Sequence, residues 1–141
     1  MTALLDTGFL LAVLDGDDDF HEACAHALQN EEAPLLPDFV VPELAYLILR
    51  ELGYRPLTQF LSAVMSGEFE VERTQMEDLR RTNEILAKYQ DSKVDFVDCV
   101  IVAMAERLSI QTILTVDQRH FRLFRPKHCA YFVLSPEIHS T

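Results

Sequence analysis

Short apolar runs that end at an acidic residue alternate along this chain with longer stretches of helical periodicity, and few folds accept that order. Ala3 to Leu5 is an apolar strand candidate that stops at Asp6 and Thr7, and Gly8 to Leu14 then reads as a short buried helix. Phe20, Cys24, Ala27 and Leu28 recur at helical spacing, so a second helix runs from about His21 to Gln29 and stops before Pro34. Leu35 to Val40 is interrupted by Pro37, which makes it at best an edge strand. Pro42 suits the first position of a helix bearing Leu44, Leu47, Ile48 and Leu52, with Gly53 as its C-terminal cap and Glu43 in its first turn. Pro56 opens another helix to about Met65, Gly67 closes it, and Phe69 to Glu72 alternates like a strand. Thr74 with Glu77 forms a capping box for a helix to Tyr89, on which Met76, Leu79, Asn83 and Leu86 share a stripe. Asp95 and Asp98 repeat that arrangement, so a further helix starts near Phe96 and carries Asp98 in its first turn, and strands follow at Thr112 to Val116, ending at Asp117, and at Tyr131 to Leu134. Strands and helices in this order predict a three-layer α/β domain with a short, mostly parallel central sheet flanked by helices.

The chain has 141 residues, the size of one ordinary domain, and 49% of them are apolar, enough for a continuous core. No repeat or composition shift marks a second unit, so residues 1–141 read as a single domain. The apolar stretches at Leu10 to Leu14 and Val40 to Leu49 fall well short of the roughly 20 residues that span a bilayer, and the N-terminus lacks the pattern of a secretory signal. Cys24, Cys99 and Cys129 are an odd set without CxxC spacing, which favours free thiols in a reducing, cytoplasmic setting over a disulfide framework or thiolate zinc site. His21, His26, His120, His128 and His139 show no paired ligand spacing and read as surface or packing residues.

The formal net charge is −11, which argues against nucleic-acid binding through a broad basic face. Either the substrate is not polyanionic, or many of the acids gather where divalent cations offset them. The positive charge is itself uneven: Arg119, Arg122, Arg125 and Lys127 fall inside nine residues, as a solvated loop or as a local contact for phosphates.

In open parallel sheets, sites form beyond the carboxyl ends of strands and near the N-termini of the following helices. Asp6, Glu43, Asp98 and Asp117 all read as occupying such positions. Crowded carboxylates repel one another and take up protons unless a cation compensates them. Mg²⁺ or Mn²⁺ suits this set, because both prefer oxygen ligands, and phosphodiester hydrolysis is the chemistry that follows. Each acid also has an ordinary structural reading. Asp6 can cap the next helix, Glu43 suits any first helical turn, Asp98 can be the reciprocal partner of Asp95 in a cap, and Asp117 can be a turn residue.

The motifs LLDTGFLLAVL, DFVVPELAYLILRELG, VDFVDCVIVAMAERL and TILTVDQRHFRLFRPKHCAYFVLSP occur in order over nearly the full length. Together they resemble the PIN-domain proteins, in particular the VapC group of toxin ribonucleases from bacterial toxin–antitoxin pairs. That resemblance implies a Mg²⁺-dependent ribonuclease, with Mn²⁺ as a substitute, in which Asp6, Asp98 and Asp117 ligate metal. It implies that Glu43 binds metal through water or orients the attacking water, that Asp95 supports the ligands or a second cation, and that Thr7 and Thr115 hydrogen-bond the acids. It also implies a small cognate antitoxin and a homodimer, for which Leu44, Leu47, Leu57, Phe60 and Leu61 are candidate contacts unless they face the core. Three other classes compete. LLDTG resembles the catalytic strand of a retroviral-type aspartic protease, but that fold is all-β and glycine-rich. A Mg²⁺-dependent phosphatase or receiver-like domain also places acids at strand ends. A catalytically silent interaction domain would keep the fold without turnover.

Overall fold

The computed structural model describes residues 2–138; Met1 and residues 139–141, including His139, lie outside the described residues. Five strands of three residues each form the sheet: β1 (Ala3–Leu5), β2 (Leu35–Pro37), β3 (Glu70–Glu72), β4 (Thr112–Leu114) and β5 (Val133–Ser135). Their order is β3-β2-β1-β4-β5 and every neighbouring pair is parallel. The register sets Leu4 between Leu35 and Ile113, and Ile113 beside Leu134. Ala3, Leu4 and Leu5 are fully buried, as expected for a central parallel strand covered on both faces.

Among the described residues seven α-helices flank the sheet, α1 (Thr7–Leu14), α2 (His21–Gln29), α3 (Val40–Leu52), α4 (Tyr54–Met65), α5 (Met76–Tyr89), α6 (Phe96–Leu108) and α7 (Arg119–Leu123), and a 3-10 turn at Gln90–Ser92 follows α5. One group is held together by α1 packing on α2 and α3, with α3 on α4, while α5 and α6 pack on each other. The core runs through both layers, from Phe9, Leu10, Leu44 and Ile48 to Ile85, Ile101 and Met104. No helix among the described residues is long and apolar enough to cross a membrane.

Several elements differ from the sequence expectation, each for a local reason. Strand β2 is interior, between β1 and β3, because Pro37 is its last residue and its paired register with β1 is confined to Leu35. Pro42 and Pro56 are third residues of α3 and α4, inside the first turn, where a missing N–H costs no intrahelical bond. The cap of α5 is shifted by one: Gln75 and Asp78 form the capping box, whereas Thr74 donates to Asp38 Oδ1 at 2.6 Å. With that shift the inward face is Asp78, Thr82 and Ile85, and Met76 and Asn83 turn to solvent. The last strand begins at Val133, two residues later than periodicity suggested. The stretch after Asp117 contains a helix, α7, because Phe121 and Phe124 bury themselves one turn apart in an edge-to-face pair.

The chain lays β2 and β3 on one side of β1 and then crosses to place β4 on the other. The reversal leaves a crevice beyond the carboxyl ends of β1 and β4, the place where open α/β sheets bind ligands. Asp6 and Thr115 are the residues that immediately follow those two strands.

Candidate active site

Asp6 continues the ladder, its N–H donating to the Leu114 carbonyl at 3.0 Å, and it also caps α1. Its Oδ1 accepts from the Thr7 N–H at 2.8 Å and its Oδ2 from the Thr115 hydroxyl at 2.8 Å, so both oxygens are fixed in direction. Capping therefore accompanies its placement in the crevice. Glu43 projects from the first turn of α3 and is half-buried. Asp95 caps α6, accepting from the Val97 N–H at 3.0 Å. Asp98, one turn on, takes no part in that cap; its recorded polar neighbour is His120, whose Nδ1 stands 3.4 Å from Oδ2. Asp117 follows β4 and is exposed, and its carbonyl accepts a second, 3.3 Å contact from the Thr115 hydroxyl.

All five acids, with Thr7, Gly8 and Leu47, line one cavity of about 180 Å³. Gly8 permits close approach of α1 to the segment after β4, since a Cβ there would meet Val116 Cγ2 at 3.1 Å. Electrostatics tie the acids together. Asp98 is pushed up to about 9 by burial and then by the charges of Asp6, Asp95, Asp117 and Glu43. Asp6 is raised to about 6, mainly by burial; the Thr115 and Thr7 hydrogen bonds oppose the rise, and Glu43 and Asp95 add to it.

The donor set is hard oxygen throughout. Among the described residues, no three His, Cys, Asp or Glu side chains stand close enough together to grip a metal ion directly as they are. The all-oxygen donor set and the shared cavity suit a cation such as Mg²⁺ that keeps several of its waters and takes only one or two carboxylates. The Thr7 hydroxyl supports that fit: it is buried and has no hydrogen-bond partner, leaving it free for a ligand or its water.

The crevice therefore gathers Asp6, Glu43, Asp95, Asp98 and Asp117, but the cationic stretch behind it divides. Arg122 donates to the Gln118 side chain at 3.0 Å and to the Ile138 carbonyl, and Arg125 donates to the carbonyls of Arg122, Leu123 and Phe124. Lys127 lies against Glu77, Asp78 and Glu106 in a separate cavity. Arg119 alone of the four stands beside the acids' neighbour His120. His120, read from sequence as a surface or packing residue, touches Asp98, and the helical spacing of Phe121 and Phe124 was the signal that would have placed it. Gln118 was missed as well. It is buried and donates to the Thr115 and Pro136 carbonyls at 3.0 and 2.8 Å, which clamps the segment carrying Thr115 and Asp117.

Of the apolar contact candidates, Leu44 and Phe60 are in the core, Leu57 packs against it and Leu47 lines the acidic cavity. Leu61 is exposed, together with Tyr46, Leu49, Tyr54 and Met65 on α3 and α4. Cys24 and Cys99 are buried free thiols, and burial raises both.

Residues 3–125 match the PIN domain family. The chain is 30% identical over 134 residues to the ribonuclease VapC26 of Mycobacterium tuberculosis (strain ATCC 25618 / H37Rv), covering 94% of this chain and 99% of that one. In fold it is similar to the crystal structure of M. tuberculosis VapC20, described as a toxin cleaving the sarcin-ricin loop, with TM-score 0.77 at 20% identity, covering 84% of this chain and 92% of that one. It is also similar to VapBC2 of Rickettsia felis, solved bound to a DNA fragment from its promoter, with TM-score 0.69 at 15% identity, covering 96% and 98% of the two chains.

Proposed function

Because this chain belongs to the PIN-domain family, we propose that it is a divalent-metal-dependent endoribonuclease and the toxin of a toxin–antitoxin pair. The observation that carries the reading is the convergence of Asp6, Glu43, Asp95, Asp98 and Asp117 on one crevice, with Asp98 pushed up to about 9. A carboxyl held protonated at neutral pH by burial and four neighbouring acids is a group poised to exchange its proton for a cation. Asp6, Asp98 and Asp117 would hold Mg²⁺ or Mn²⁺, one or two of them directly and the rest through the cation's waters, with Glu43 and Asp95 acting through water. The cation supplies Lewis acidity toward a phosphoryl oxygen and toward water.

The chain's own residues do the rest. Thr115 and Thr7 aim the two Asp6 oxygens in fixed directions and keep its pKa from rising further. Glu43, half-buried at the rim, orients the attacking water and takes its proton. Gln118 ties the segment carrying Thr115 and Asp117 to the residue after β5 through hydrogen bonds to the Thr115 and Pro136 carbonyls. A cognate antitoxin partner is supported by the VapC relative and by the toxin–antitoxin complexes of the same fold, including one from Klebsiella pneumoniae. The exposed apolar residues of α3 and α4 are the surface we assign to antitoxin and to a second copy in a homodimer.

The test is cleavage of mixed cellular RNA in Mg²⁺ by the wild type and Asp98→Asn. Chelator should abolish cleavage, and Asp98→Asn should lower it by about 100-fold or more with the fold retained. Undiminished cleavage by folded Asp98→Asn overturns the assignment. Hydrolysis of small phosphate esters without cleavage of RNA would point instead to a phosphatase.

A further inference from the structure

A second cleft of about 370 Å³, lined by Ser92, Lys93, Arg119, His120 and Leu123, adjoins the acidic crevice through His120, whose Nδ1 stands 3.4 Å from Oδ2 of the crevice residue Asp98. We propose that Lys93 and Arg119 form a phosphate subsite that holds the backbone of single-stranded RNA one or more nucleotides away from the scissile bond. The proposal rests on the ribonuclease reading and names how so acidic a protein retains its substrate.

The chain's cations differ in the partners they find. Arg81 and Arg107 are bound to Glu106 and Asp78, Arg50 to Glu51, and Arg122 and Arg125 donate to neutral acceptors. Lys127 lines a separate cavity with Glu77, Asp78 and Glu106 and with Arg81 and Arg107, away from the cleft. Lys93 and Arg119, like Arg55, Arg73, Arg80 and Lys88, take part in no ion pair among the described residues, and of these six Lys93 and Arg119 line the cleft beside His120. Two cations outside any ion pair, in the cleft whose His120 touches Asp98, form a local reversal of sign in a chain of net charge −11.

Lys93 is also held unusually. Its backbone is left-handed, φ 55° and ψ 46°, where residues with a Cβ are uncommon. Glycine or asparagine would suit that backbone better, so a lysine here is not explained by the turn. Its side chain is what the cleft uses. Arg119 approaches from the other wall, at the start of α7, next to the His120 that touches Asp98. The contact of His120 with Asp98 sets the cleft next to the crevice, which favours a polyanion that passes across both. An acidic peptide reaching the cleft would have no reason to enter the carboxylate crevice, whereas the substrate strand must pass through it.

The test combines cleavage and binding, with Lys93→Asn, Arg119→Gln and the double variant. Asparagine tolerates the left-handed backbone, so Lys93→Asn removes charge without straining the turn. In Mg²⁺, each single variant should raise KM for a single-stranded RNA by about tenfold and lower kcat far less. Lys127→Gln, which removes the same charge outside the cleft, should keep the wild-type KM. Binding of a labelled single-stranded RNA oligonucleotide, followed by anisotropy in chelator across a salt series, should lose about 1.4 from its log–log salt slope in the double variant, about 0.7 per phosphate contact. Thermal midpoints equal to wild type show that folding is intact.

An unchanged KM and salt slope in folded double variant, or no RNA binding by either protein, overturns the subsite. Equal losses in Lys127→Gln overturn it too, by showing a net-charge effect. Binding of poly-glutamate that depends on Lys93 and Arg119, with RNA unaffected, would reassign the cleft to an acidic protein partner. If the wild type cleaves no RNA, the ribonuclease reading falls, and the binding arm judges the cleft by itself.

Discussion

Thr115 commits its hydroxyl proton to the Asp6 carboxylate, and that bond is one of two that oppose the rise in the Asp6 pKa caused by burial. Thr115→Val keeps the volume and removes the donor. The charged form of Asp6 is then less favoured, so its pKa moves upward from about 6. Activity limited by Asp6 ionisation should shift its acidic limb to higher pH, and the rate at neutral pH should fall by about 10- to 100-fold. A pH–rate profile of Thr115→Val with an unmoved acidic limb would count against a role for this bond in the site. Asp6 and Asp117 were legible in the sequence because each ends an apolar run. The direction of the Asp6 oxygens was not, since the donor that aims Oδ2 lies 109 residues away. His120 and Gln118 were illegible for a related reason: a lone histidine or glutamine after a strand carries no spacing signal until the neighbouring phenylalanines are read as a helical turn.

At the scale of elements, the acids on α6 depend on how that helix is locked to α5. Arg107 on α6 donates to both oxygens of Asp78 at 2.9 and 3.0 Å, and Arg81 on α5 reaches both oxygens of Glu106. Asp78 is 1% exposed and also closes the cap of α5, accepting from the Gln75 N–H at 2.9 Å. Arg107→Ala strands a buried carboxylate, which costs about 3–5 kcal/mol. A loss of that order in urea unfolding is expected, and a change within about 0.5 kcal/mol, the range of ordinary surface substitutions, would show that the pair contributes little. Periodicity predicted both helices but set the inward face of α5 on Met76, Leu79, Asn83 and Leu86. The true face is partly polar, because Asp78 is buried with its partner on another helix, and no pattern within α5 could announce that partner.

At the scale of the molecule, clustering acids makes the metal-free fold sensitive to pH. Asp98 titrates near 9 in the folded chain against an ordinary 3.8, so between those values the folded state holds a proton that the unfolded state has released. Metal-free stability from this group is therefore fullest at low pH and declines as pH rises toward 9. Urea midpoints in chelator should fall over that window, and Asp98→Asn, which has no such proton to lose, should flatten the decline. Mg²⁺ should reverse the effect by stabilising the wild type, by about 2.7 kcal/mol at 100 times its dissociation constant. No rise in the wild-type midpoint on adding saturating Mg²⁺ would argue against cation binding in the crevice.

Alternation of short apolar runs with capped helices sufficed to predict an α/β sandwich, since strand and helix periods are written locally in the order of side chains. The same local record put four acids at strand ends and first helical turns, and the order of the motifs pointed to the family. Strand order is not local. Only the tertiary structure placed β2 inside the sheet and β4 across β1, and that crossing opens the crevice where residues from position 6 to position 117 meet. It also decided which charges are satisfied. Arg122, Arg125 and Lys127 are neighbours of Arg119 in sequence but find other partners in space, whereas Lys93 joins Arg119 from 26 residues away. Sequence records which groups a chain carries; burial and proximity, which set their pKa values and leave two cations free beside the acids, exist only once the chain has folded.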